Sequence, residues 1–171
     1  MHTLYGVIFM NRDKGNMAVT YALIFGAILS LCAASVRFWW GSPHASMTQM
    51  GIREVLPPVW LMGFLWLLWY FALGATLGGV LYTYGKNCID AWRGTCFFLL
   101  MIGVGFLWYP LFFVRHYFLF SLIVLLAVIA LAAVCALQWQ KLSPMAGIVM
   151  WLHVLWLFYM TVLQLICLFG V

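Results

Sequence analysis

Pro57-Pro58-Val59-Trp60-Leu61-Met62-Gly63-Phe64-Leu65-Trp66-Leu67-Leu68-Trp69-Tyr70, running on through Phe71-Ala72-Leu73-Gly74-Ala75-Thr76, contains no charged residue. Paired prolines suit the first turn of a helix, where the missing N–H would have no partner anyway. At 100° per residue, Trp66, Tyr70, Leu73 and Leu77 share one stripe, with Gly63 and Gly74 beside it. Gly74 and Gly78 form a small-xxx-small pair that lets a second backbone come close. So much flat aromatic surface on an uncharged helix reads as the wall of a ligand pocket inside a membrane bundle. Trp60, near the helix end, reads as an interface anchor. For Trp66 and Tyr70, lying deeper, simple packing and a pocket are both open, because a buried indole N–H or phenol O–H needs a partner.

Composition decides the class. The chain of 171 residues is 68% hydrophobic and 6% charged, against about 25% charged in a soluble domain. A water-facing surface cannot be assembled from it. Charges are absent between Lys14 and Arg37, Glu54 and Lys86, Arg93 and Arg115, Arg115 and Lys141, and after Lys141. Each gap is long enough for the ~20 residues of a bilayer-spanning helix. The net charge of +5 comes from basic residues placed singly between these spans. They read as topology determinants and headgroup contacts with the lipid bilayer, and no nucleic-acid partner is expected. Cys32, Cys88, Cys96, Cys135 and Cys167 show no CxxC and no metal spacing, so neither a disulfide framework nor a metal site is expected. Residues 1–16 lack the apolar core of a cleavable signal, so the first span is expected to persist.

In order, helices are expected over about 17–36, 57–84, 95–114, 117–138 and 144–169, in a single domain covering 1–171. Gly26, Ala27 and Ser30 give the first a small-residue face. The loop of about 39–56 is long enough for a lid over a pocket, and a plain connector is the other reading. In the third helix, Gly105, Trp108 and Phe112 fall on one face, and Pro110 is expected to kink the helix near Phe106. Arg115-His116 leaves room only for a tight turn. The fourth helix, rich in Leu, Ile, Val and Ala, is assigned a lipid-facing structural role, closed at the interface by Trp139, Gln140 and Lys141. The fifth carries the most polar stripe: His153, Trp156, Met160, Gln164 and Cys167. His153 is an intramembrane ionisable residue and so a candidate functional site. A neutral histidine hydrogen-bonded to a neighbouring helix is the alternative.

These motifs together resemble the TspO/MBR family, the tryptophan-rich sensory proteins related to the mitochondrial translocator protein. The family's second-helix signature, roughly P-P-x-W-x-x-G-P-x-W-T-x-L-Y-x-x-M-G-x-A, is met by Pro57, Pro58, Trp60, Gly63, Trp66, Tyr70 and Gly74. Phe64 replaces its proline, Leu67 its threonine, Leu73 its methionine and Thr76 its alanine. The third-helix signature is met by Trp108, Pro110, Leu111, Phe112 and Phe113, with Gly105 where the family has asparagine. The fifth is met by Trp156 and Leu163, with Gln164 for asparagine and Leu152-His153 for a Pro-Tyr pair. The resemblance marks a divergent member.

It implies an all-α integral membrane protein, a bundle of five transmembrane helices, acting as a homodimer in a bacterial cell membrane. It also implies a pocket for flat apolar ligands, above all porphyrins and other tetrapyrroles. By position, Trp66, Trp108 and Trp156 are expected to line it. Tyr70, Gly105 and His153 join them from stripe position as much as from the family. No cofactor is required, porphyrin or haem being a ligand, and His153 is a conceivable axial ligand to haem iron. The leading function is that of a membrane sensor or carrier for tetrapyrroles. Light-dependent porphyrin breakdown using pocket tryptophans is the enzymatic alternative, since no catalytic acid–base or nucleophile constellation is legible. A small-molecule or ion- or proton-coupled membrane transporter, with His153 as a proton relay, is the third.

Overall fold

The computed structural model describes residues 2–40, 58–85 and 88–169. Among these, five helices are long and apolar enough to cross a membrane. They are α1 (His2–Trp40), α2 (Val59–Tyr84), α3 (Ile89–Tyr109, continued by a wider turn over Pro110–Val114), α4 (Phe118–Trp139) and α5 (Pro144–Phe169). The protein is an integral, multi-pass membrane protein.

Two helix starts differ from expectation. α1 begins at His2 rather than Met17, since no proline interrupts its polar lead-in. α3 begins at Ile89 rather than Thr95. Asp90 in its first turn suits the positive end of the helix dipole. The Trp92 indole also donates to the Gly85 carbonyl at 2.7 Å, tying the start of α3 to the end of α2. The candidate lid, apart from Trp39 and Trp40 at the end of α1, lies outside the described residues.

In lipid the hydrophobic effect does not hold helices together, so close backbone approach and interhelical hydrogen bonds matter more. α1 and α2 use the first. The bare Cα of Gly74 lies against the backbone of Phe25 and Gly26, and that of Gly78 against Tyr21 and Ala22. Ser30 adds a hydrogen bond to the Leu67 carbonyl at 3.1 Å. α3, α4 and α5 pack as a second group. Gly94 receives the edge of the Trp139 indole, and Phe98 stacks on that ring at 5.1 Å between centroids. Trp139 is wholly buried, which corrects its expected place at the interface. Trp60 stays outward, 72% exposed.

Pro110 acts later than expected. α3 runs unbroken through Phe106 to Tyr109, and the disturbance is a widened turn after the proline, closed by Arg115 N–H donating to the Pro110 carbonyl at 3.0 Å. Such wide turns absorb an irregular hydrogen-bond register inside a helix. This one turns Phe112 and Phe113 inward together. His116 then takes a left-handed conformation, φ 54°, to reverse the chain into α4. Histidine tolerates that region better than most side chains.

Candidate functional site

Between the α1–α2 pair and the α3–α5 group lies a cavity. Trp66, Trp69 and Tyr70 face it from α2, and Met101, Ile102, Gly105 and Trp108 from α3. Leu125 and Val128 face it from α4, and His153, Trp156, Leu157 and Met160 from α5. All six residues singled out in the sequence (Trp66, Tyr70, Gly105, Trp108, His153 and Trp156) therefore border one space.

The walls are stacked rings. Trp66 lies 5.0 Å from Tyr70 and edge-on to Tyr109 at 6.1 Å, while Tyr70 stacks on Phe106 at 5.7 Å. Trp69 lies 6.1 Å from the His153 ring and 6.4 Å from Trp156. Aromatic pairs favour such offset and edge-on arrangements, so the rings of α2 meet α3 on one side and α5 on the other.

Two hydrogen-bond systems fix the floor. Gln164, with no exposed surface, accepts from the Trp108 indole at 2.9 Å. Its amide donates to the Phe118 carbonyl at 2.8 Å and to Ser121 Oγ at 2.6 Å. One side chain thus joins α3, α4 and α5, and Trp108 presents its face rather than its N–H. Across the cavity, the Trp69 indole donates to Nδ1 of His153 at 2.8 Å. An accepting Nδ1 carries no proton, so a neutral imidazole holds it on Nε2. His153 is both a neutral histidine bonded to a neighbouring helix and part of the cavity wall. The Trp66 indole N–H is buried with no acceptor among the described residues.

Size sets a condition on any ligand. The cavity has a volume of about 40 Å³. That holds a few waters, whereas drug-sized ligands occupy pockets of about 300–1,000 Å³. A large planar molecule exceeds this space, so the helices around it would have to part to admit one.

Sequence reasoning missed Trp69 and all of α4. Trp69 had a signal: it stands three residues after Trp66, on the same side of α2, and a buried histidine calls for an N–H opposite it. The α4 contribution corrects the purely lipid-facing role assigned to that helix, since Ser121, Leu125 and Val128 are buried against the site.

The TspO/MBR family model matches residues 18–168 of the chain. The chain belongs to the TspO/MBR family. The match takes in all five membrane spans save the first residues of α1. Neither the curated proteins nor the solved structures gave a match.

Proposed function

We propose that the protein is a membrane-embedded binding protein, a sensor or carrier, for flat apolar ligands of the porphyrin and tetrapyrrole type. The observation that carries this reading is that indoles from α2, α3 and α5 (Trp66, Trp69, Trp108 and Trp156) border one cavity at membrane depth. Indole faces suit a large apolar plane through stacking. Among the described residues no Lys, Arg, Asp or Glu lines the cavity, so a tetrapyrrole's carboxylates belong at its mouth, where water and headgroups solvate them. Placing the ring between α2 and α5 replaces the present ring-on-ring contacts with ring-on-ligand contacts. The seam between the two helix groups is thus the natural route of opening.

The test is a titration of purified protein with protoporphyrin, haem and coproporphyrin, following tryptophan fluorescence. Saturable quenching that weakens in Trp66→Phe and Trp156→Phe supports the reading. Failure of all three ligands to bind contradicts it.

A further inference from the structure

Resting on that binding role, we propose that the pocket selects planar apolar ligands bearing a neutral hydrogen-bond acceptor, a carbonyl oxygen or imine nitrogen. Nε2–H of His153 is the donor, and Trp69 is the positioning residue that fixes its tautomer.

Among the described side chains lining the cavity the only oxygen is the Tyr70 phenol. The remaining polar atoms are ring nitrogens. Trp108 spends its N–H on Gln164, and Trp69 spends its own on Nδ1 of His153. What remains on the described lining is Nε2–H of His153, with no acceptor among the described residues, beside the indole N–H of Trp156. A donor left unmatched in an apolar setting carries a desolvation cost that a ligand acceptor removes. A ligand whose polar edge also donates leaves that cost in place. No cation among the described residues lines the cavity, so beside them a carboxylate acceptor would have to shed its hydration without a counter-charge. A neutral acceptor suits the site best.

The same bond bears on iron. A histidine that ligates a metal through Nε2 donates its Nδ1–H to a carbonyl, carboxylate or water. Here the polarity is reversed, because Nδ1 accepts. Nε2 holds the proton, and its lone pair is not available to a metal unless the Trp69 bond breaks. With the Trp69 bond in place, His153 is a donor to the ligand and not an axial ligand to haem.

Fluorenone and fluorene test this. They are planar and near-isosteric, small enough for a modest opening, and differ by one carbonyl. Fluorenone is expected to bind about tenfold more tightly than fluorene, the size of one good hydrogen bond. The ratio should fall to about one in His153→Phe and shrink in Trp69→Phe. Comparing ratios cancels partitioning into detergent. Nitrogen NMR of histidine-labelled protein should show His153 protonated at Nε2, the signal being assigned by its loss in His153→Phe. Haem, if bound, should keep the same iron coordination spectrum in wild type and His153→Phe. Equal affinities in the wild type, binding of neither probe, an Nδ1-protonated ring, or loss of a haem ligand signature in His153→Phe would each overturn the inference. Protoporphyrin quenching on the same preparation separates the outcomes, because quenching without carbonyl preference removes this inference and leaves the tetrapyrrole reading standing.

Discussion

The Trp69 indole and Nδ1 of His153, 84 residues apart in sequence, meet at 2.8 Å and bond α2 to α5 across the pocket. Besides it, the Trp92 indole donates to the Gly85 carbonyl at the end of α2, and rings pack across the seam between the two helix groups. Replacing Trp69 or His153 should therefore loosen the seam itself. A double-mutant cycle with Trp69→Phe and His153→Phe, read by unfolding in detergent, is expected to give a coupling of about 1 kcal/mol, near the upper part of the range for interhelical bonds in membranes. Additive effects would mean that the two rings stabilise the fold independently.

Gln164 should be more costly to lose. Gln164→Leu keeps the volume but leaves the Trp108 N–H without its acceptor and Ser121 without its donor. The expected loss is about 1–3 kcal/mol, the cost of stranding buried polar groups. Gln164→Asn, shorter by one methylene, should fall between. Because Trp108 would also lose its orientation, ligand quenching should weaken in step with stability. A Gln164→Leu variant as stable as wild type would remove the network from the account.

The glycines of α2 divide sharply. A Cβ at Gly74 would collide with the Phe25 carbonyl, and one at Gly78 with the Tyr21 carbonyl, whereas Gly79 faces open space. Gly74→Ala and Gly78→Ala should destabilise by about 1–3 kcal/mol through overpacking, because the blocking atoms are backbone. Gly79→Ala should be neutral in the same unfolding assay. Equal effects at all three would mean that α1 does not lie along this face.

The fold was legible because charges punctuate the chain. Intervals between Lys and Arg set the spans, and the aromatic stripes of α2, α3 and α5 set which faces turn inward. Trp66, Tyr70, Gly105, Trp108, His153 and Trp156 could be found because each stands out from its own helix. α4 could not be read this way. Its faces are equally apolar, and whether Leu125 or Leu126 turns inward depends on neighbours the pattern does not name. Trp139 misled for a related reason: a tryptophan at a helix end suits headgroups, and only the absence of a side chain at Gly94, 45 residues away, makes room for it inside. The Pro110 turn shows that proline's effect on hydrogen bonding is predictable while the side on which the helix yields is not.

Gly105 provides the most direct test that this cavity is the binding site. A Cβ there would meet only Val128, at a comfortable 4.0 Å, and the residue borders the cavity. Gly105→Ala should bind protoporphyrin somewhat more weakly than wild type. Gly105→Leu, filling the space from within α3, should abolish tryptophan quenching by protoporphyrin with little change in unfolding temperature. Undiminished saturable quenching in a folded Gly105→Leu protein would place the ligand elsewhere and contradict the account.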